Sequence, residues 1–244
     1  MSAFYKDIRN LLALQSIRYD SEKYGPSNYS IYMNKDYGNV KGFTFSLTKR
    51  YDRVTKTSAF VDYTYQVTEG NSVKSGSFYY NALSGEEEEK RIVPLSWDQR
   101  HILNSTVSVG DPGNWNLGLI SKLSSGWPYT PNIPDANYVP LSNSGRKPWQ
   151  WRIDMRLHKN FKVGKFQYIV YTKIYNLLDR RNERYVFNDT GRAGYTYVSQ
   201  STQETKGFVD HYGESGVHTW SEYQVRPQYY TAPRSINIGF SLDF

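Results

Sequence analysis

The chain has 244 residues, with 30 lysines and arginines against 23 aspartates and glutamates, for a formal net charge of +7. It contains no cysteine, which excludes disulfide scaffolds, thiol catalysis and cysteine-ligated zinc. No stretch approaches the roughly 18 consecutive apolar residues of a membrane helix, so helical spans are excluded, whereas membrane-spanning strands are not. The residues after Met1 have none of the features of a signal peptide. We therefore expect either a cytoplasmic protein or a processed or truncated piece.

Apolar and polar residues alternate along much of the chain, which predicts strands with one apolar and one polar face. Residues 3–19 look extended but alternate poorly, so the first predicted strand rests on the weakest pattern. Clearer alternation follows in the segments 43–48, 59–68, 103–109, 115–123, 149–157, 166–174 and 235–244. We predict about eight strands and no long amphipathic helix.

The predicted connections differ in length in a regular order. Short turns are expected near Asp52, at residues 110–114 and around Gly164, where Gly, Pro, Asp and Asn supply the backbone angles of turns. Long polar segments are expected at 20–39, 69–99, 130–148 and 181–230. In an up-and-down antiparallel sheet, this alternation places all short turns at one edge and all long loops at the other. Outer-membrane barrels have this arrangement, with short periplasmic turns and long extracellular loops.

Aromatic residues at the strand ends also favour a membrane barrel, because amphipathic rings prefer the boundary between hydrocarbon and water. The predicted aromatic girdle comprises Trp115, Trp127, Trp149 and Trp151. Alternation alone also fits a soluble β-sandwich, so that alternative stays open. The fold that we predict is an all-β, antiparallel up-and-down transmembrane barrel segment of about eight strands.

Four segments resemble the TonB-dependent outer-membrane receptors. The C-terminal residues 233–244 resemble a final barrel strand, with apolar residues at every second position: Ile236, Ile238, Phe240, Leu242 and Phe244. Residues 175–179 (Tyr-Asn-Leu-Leu-Asp) are similar to the end of the penultimate strand of that family. Residues 97–101 (Trp-Asp-Gln-Arg-His) and 3–9 (Ala-Phe-Tyr-Lys-Asp-Ile-Arg) resemble the beginnings of two other barrel strands.

The resemblance implies that residues 1–244 are the C-terminal portion of a receptor barrel in the outer membrane of a Gram-negative bacterium, without the plug and the N-terminal strands. It implies uptake of a scarce nutrient, such as a metal chelate, cobalamin or a glycan, energised by the TonB complex through the missing plug. Other implied partners are outer-membrane lipid, lipopolysaccharide and the barrel assembly machinery, which would read the final strand. Two alternatives are a self-standing small barrel, acting as an anchor or adhesin, and a soluble β-sheet protein that binds carbohydrate.

The sequence contains no established catalytic motif, and we expect neither an enzyme nor a bound cofactor or metal. The basic residues are spread along the chain, so nucleic-acid binding is not expected. The histidines His211 and His218 with Glu214, and the acidic run 86–89, are expected to lie in solvated loops. Candidate residues facing the barrel lumen are Arg152, Asp154, Arg156, His158 and Lys173. Candidate ligand-facing loop residues are Asp189, Arg192, Tyr195, Tyr197 and Trp220.

Overall fold

The computed structural model describes residues 1–21, 23, 25–71, 92–132, 140–197 and 225–243, which form an all-β fold. The strands in chain order are β1 (Ser2–Ser21), β2 (Gly25–Asp52), β3 (Thr57–Gly70), β4 (Val93–Pro94), β5 (His101–Asp111), β6 (Trp115–Ser124), β7 (Pro128–Tyr129), β8 (Gly145–Arg146), β9 (Gln150–Val163), β10 (Phe166–Tyr175) and β11 (Ser235–Asp243). A single 3-10 turn, Pro227–Tyr229, accounts for all helical structure in the described residues. Within them, no helix is long and apolar enough to cross a membrane. The predicted all-β class is confirmed.

Eight long strands form one antiparallel sheet in the order β1-β2-β3-β5-β6-β9-β10-β11. Each long strand pairs with the long strands that directly precede and follow it in the sequence. The short β4 adds to the end of β3, while β7 and β8 form a separate two-stranded hairpin. This order confirms the predicted up-and-down connectivity. Among the described residues, β1 and β11 each pair on one side only, so the sheet has two open edges and is not closed into a barrel.

The connections β2–β3, β5–β6 and β9–β10 are short and lie at one end of the strands. The connections β3–β5, β6–β9 and β10–β11 are long and lie at the other end, together with the short connection 22–24 between β1 and β2. The predicted long loop at 20–39 is wrong. β1 continues to Ser21, which pairs with Gly25 at the beginning of β2. Backbone pairing between strands does not depend on apolar alternation, so the polar residues of this segment resemble a loop in the sequence alone.

The poor alternation of the first strand has a local cause. The register between β1 and β2 shifts between Ile8 and Leu11, and Asn10 has a φ of 61° in this interval. Such a β-bulge inserts an extra residue and moves the following side chains to the opposite face. The prediction of a strand at 3–19 is confirmed, and the bulge explains why its period-two pattern is interrupted.

The pairing registers carry one apolar face across the seven long strands from β2 to β11, since directly paired residues share a face. For example, Val107 pairs with Leu119, and Leu119 pairs with Met155. The face includes Phe43, Phe45, Leu47, Val61, Tyr63, Leu103, Val107, Leu117, Leu119, Leu123, Ile153, Met155, Leu157, Val170, Ile174, Ile236, Ile238, Phe240 and Leu242.

No second layer of the described residues covers this apolar face. Trp151 is 37% exposed and Ile238 is 75% exposed, so these rows do not meet in a compact core. The buried apolar residues of the described part are Val93, Leu95, Val186 and Ala193, and all four lie outside the eight long strands. The packing expected of a soluble β-sandwich, with two apolar faces in contact, is therefore not found in the described residues.

Candidate ligand-facing surface

The polar face of the sheet brings together all five residues that the sequence places in the lumen. On β9, Arg152, Asp154, Arg156 and His158 occupy alternate positions, and Lys173 of β10 lies directly opposite Arg156. Their shared face is the one opposite to the row of Leu119 and Met155. The assignment of that face to a barrel lumen stays a prediction.

Arg152 and Asp154 form a bidentate ion pair along β9. The Nε of Arg152 lies 2.8 Å from Oδ1 of Asp154, and its second guanidinium nitrogen lies 2.6 Å from Oδ2. The backbone N–H of Asn176 donates to the same Oδ1 at 2.9 Å. The guanidinium also lies 5.9 Å from the ring centre of Tyr175. These donors make Arg152 the closest ion-pair partner of the carboxylate, and Arg156 interacts with it through space only.

Residues 175–179, which resemble a receptor motif, form the corner after β10. Asn176 has a φ of 54° and Asp179 a φ of 51°, a left-handed conformation that asparagine and aspartate tolerate better than most residues. The side-chain amide of Asn176 donates to the carbonyls of Arg180 and Ala232, both at 3.1 Å. The carboxylate of Asp179 accepts the backbone N–H of Arg234 at 2.8 Å. The corner therefore ties the end of β10 to the residues that lead into β11.

Residues 98–101, the second such motif, fix the start of β5. The side chain of Asp98 is fully buried; it accepts the N–H of Thr68 at 2.8 Å and pairs with the guanidinium groups of Arg100 and Arg146. The side-chain amide of Gln99 donates to the carbonyl of Ser125 at 2.9 Å. We call these residues the Asp98 cluster. It joins β3, β5 and the β7–β8 hairpin at the end of the sheet where the long connections lie.

A row of aromatic rings crosses the apolar face near the same end of the strands. The His101 ring stacks on Trp149 with centroids 5.5 Å apart, and Tyr65 lies 5.1 Å from His101. Phe43 continues the row at 5.7 Å from Tyr65. The Tyr63 hydroxyl is hydrogen-bonded to Nδ1 of His101 at 2.8 Å. Rings with one polar atom suit a boundary between apolar and aqueous surroundings.

The four predicted girdle tryptophans occupy both ends of the strands. Trp115 begins β6 at the end of the sheet that carries the short turns. Trp127, Trp149 and Trp151 lie at the opposite end, where the long connections are. Along β9, Trp151 and Phe161 are ten residues apart on the apolar face. At about 3.3 Å per residue and a tilt of about 40°, this separation spans about 25 Å, the height of the apolar band of an outer-membrane barrel. The positions fit a girdle, and that role stays a prediction.

The predicted loop residues Asp189 and Arg192 already have partners within the chain. Arg192 forms a bidentate pair with Glu183, with contacts of 3.0 Å and 2.7 Å, and hydrogen bonding to Glu183 raises the pKa of the Arg192 guanidinium. Asp189 accepts the hydroxyl of Thr196 at 2.6 Å. Such pairing holds the loop in shape. Their role in ligand contact stays a prediction.

Tyr195 and Tyr197 present exposed rings beside this loop. Tyr197 is 69% exposed, and the two rings meet edge to face with centroids 5.9 Å apart. Unlike the two charged residues, they offer free apolar area to a ligand.

Several predicted residues lie outside the described residues: Trp220, Phe244, His211, Glu214, His218 and the acidic run 86–89. The other four residues of the proposed assembly signal lie on the apolar face of β11, at alternate positions from Ile236 to Leu242. Within the described segments, no group of three His, Asp or Glu side chains is placed to hold a metal ion.

Sequence reasoning did not identify the Asp98 cluster or the aromatic row. Asp98 and Arg146 are 48 positions apart, and nothing local to Arg146 points to a buried carboxylate. The aromatic row was detectable only in part: Tyr63 and Tyr65 stand out by their alternation, but the pairing of Tyr65 with His101 depends on the register.

The chain is therefore an all-β protein with one antiparallel sheet, and the wide apolar face of that sheet is uncovered in the described residues. No family profile and no curated protein matches the chain. Among solved structures, it is similar to the outer membrane transporter YddB from Escherichia coli, with a TM-score of 0.55 and 13% sequence identity. The similarity covers 75% of this chain and 27% of the transporter, so the chain spans about a quarter of the length of that protein. At this identity the likeness concerns the fold.

Proposed function

We propose that this chain forms one section of the wall, with several ligand-facing loops, of an outer-membrane transporter. The observation that carries the proposal is the single apolar face, continuous over the seven long strands from β2 to β11 and uncovered among the described residues, backed by a polar face. Hydrocarbon fits such an apolar face, because its side chains need no water and paired strands satisfy one another's backbone groups everywhere except at the two open edges. The likeness to the YddB fold supports this reading.

The open edges at β1 and β11 support a wall section within a larger barrel. In hydrocarbon an unpaired strand edge leaves backbone groups unsatisfied, so each edge needs a neighbouring strand. As a wall section, the chain would contact outer-membrane lipid and lipopolysaccharide and be assembled through its final strand. Uptake of a metal chelate, cobalamin or glycan, energised by TonB through a plug outside this chain, is the finer part of the proposal. The chain catalyses no reaction in it.

Two adjacent apolar residues of β6 provide the sharpest test of membrane insertion. Leu119 pairs with Val107 and Met155 on the apolar face, while Ile120 pairs with Thr106 and Asp154 on the polar face. Leu119→Lys should cost about 2–4 kcal/mol in a bilayer and deplete the protein from the outer membrane. Ile120→Lys removes a similar apolar side chain but should assemble normally. Equal assembly of the two variants would contradict the proposal.

Transport is tested by growth under defined limitation. Strains lacking this gene, or lacking TonB, should share a growth defect when iron chelates, cobalamin or a glycan is limiting, and the defect should disappear when the nutrient is abundant. A defect in the gene deletion that the TonB deletion does not reproduce would contradict TonB-energised uptake. It would leave the barrel assignment intact.

A further inference from the structure

The polar face is divided into a neutral half and a basic half. On β3 and β5 it carries hydroxyl, amide and apolar side chains, and Asp62 is its single charged residue there. On β6, β9 and β10 the polar face carries one carboxylate, Asp154, and five cations: Lys122, Arg152, Arg156, Lys162 and Lys173. One carboxylate cannot balance five cations, so these three strands keep an excess of positive charge on this face.

Two pairs of cations lie directly opposite each other across neighbouring strands. Lys122 pairs with Arg152 between β6 and β9, and Arg156 pairs with Lys173 between β9 and β10. Like charges at such positions, with Cβ atoms about 5 Å apart, destabilise a sheet. Within the described chain, neither Arg156 nor Lys173 forms an ion pair with a carboxylate. Lys173 lies over the Tyr171 ring, 5.1 Å from its centre. Arg156 interacts with Asp154 through space, so neither cation has a carboxylate of its own in the described part of the chain.

An uncovered glycine lies beside the central pair. Gly118 is paired with Arg156, and a Cβ added there would meet a single atom within 4 Å, the Arg156 carbonyl oxygen at 3.9 Å. Two other glycines of this face are covered by rings: Gly42 lies under Phe4 and Gly239 under Tyr171. A glycine inside a strand weakens it and often marks a place where a ligand approaches the backbone closely. Gly118 therefore leaves a shallow recess next to two cations.

We infer that Gly118, Lys122, Arg156 and Lys173 form a binding strip for the carboxylate or phosphate groups of the ligand. We call these residues the basic strip. The planar guanidinium of Arg156 can bind an oxyanion with two parallel hydrogen bonds. Lys173 adds a point charge directly opposite Arg156, and Lys122 adds one four positions from Gly118 along β6. The inference rests on the proposed function, which turns this face toward water, and it specifies an anionic ligand.

The test uses single cysteines, because the chain has none of its own. Ile120→Cys lies within the basic half, Thr64→Cys lies in the neutral half, and Leu119→Cys faces the opposite side. Each protein, in its native membrane, is treated with a sulfonate-bearing and an ammonium-bearing methanethiosulfonate reagent. The rate ratio of anionic to cationic reagent should be at least about tenfold higher at position 120 than at position 64.

Matched double variants assign the effect to the strip. Arg156→Gln with Lys173→Gln should remove most of the tenfold preference. Arg53→Gln with Lys165→Gln removes the same charge from two short turns and should leave the preference unchanged. Millimolar tricarballylate or inorganic phosphate, at constant ionic strength, should slow labelling at position 120, and the more effective anion identifies the preferred group.

The outcomes separate this inference from the proposed function. Labelling at positions 64 and 120 without anion preference or competition overturns the basic strip alone. Labelling at position 119 with none at 64 or 120 overturns the proposed function, because the apolar face would then meet water.

Discussion

Replacing Asp98 by asparagine removes the charge from the centre of the Asp98 cluster while preserving the shape of the side chain. The buried carboxylate accepts the N–H of Thr68 at 2.8 Å and faces the guanidinium groups of Arg100 and Arg146. A hydrogen bond to a charged group contributes about 1.5–3 kcal/mol, and an amide must turn its NH2 group either toward the two cations or toward the Thr68 N–H, which weakens the whole cluster in both cases. Because the contributions overlap, we expect a total loss of about 3 kcal/mol.

The Thr68 amide reports this loss directly, since its acceptor is the Asp98 carboxylate. In hydrogen exchange of the membrane-embedded protein, a loss of about 3 kcal/mol corresponds to about 100-fold faster exchange at Thr68. The backbone amide of Val61, in the middle of β3, should exchange at its original rate. Asp62→Asn is the matched control: its carboxylate accepts one hydroxyl, from Ser46 at 2.9 Å, and the change should stay within about 0.5 kcal/mol. Equal exchange at Thr68 in both variants would refute the role of the cluster.

Three further predictions test other parts of the structure. Asn176→Ala removes the side-chain hydrogen bonds of the corner and the tolerance of a positive φ, so the backbone amides of Thr231, Ala232 and Arg234 should exchange about 30-fold faster, and Asn176→Gly should recover part of the loss. Gly239→Val should displace the Tyr171 ring and reduce assembly, whereas Gly118→Ala should assemble normally; the reverse order in heat-modifiable gel migration would contradict the packing. Hydrogen bonds from the backbone N–H groups of the β2–β3 turn lower the pKa of Asp52. Its stabilisation of the turn is therefore present above the unfolded-state pKa and lost as the pH falls through the lower folded value; a turn amide shift that titrates identically in Asp52→Asn would contradict this.

Much of the sheet could be predicted because alternation survives wherever the two faces meet different surroundings. The rows of Trp151, Ile153 and Met155, and of Ile236, Ile238 and Phe240, lie on the predicted common face of their strands. The extension of β1 and β2 could not be predicted, because a bulge near Asn10 interrupts the period and polar residues follow. The motif resemblance located the corner at Asn176 without its hydrogen bonds.

Contacts between distant segments account for most of what the sequence did not reveal. The pairing of Asp98 with Arg146 depends on how two connections meet above the sheet. The basic strip also depends on register, because Lys122 and Arg156 acquire their neighbours only when β6, β9 and β10 are aligned. A shift of one residue in either pairing would separate these charges and move them to the other face.

The central claim concerns which face of the sheet meets hydrocarbon, and a cysteine scan of consecutive positions 153–158 on β9 tests it most directly. With the protein in its bilayer, a water-soluble maleimide should label the even positions, on the side of Arg156, and leave the odd positions, on the side of Met155, unlabelled. Labelling of the odd positions, or equal labelling of all six, would contradict the account.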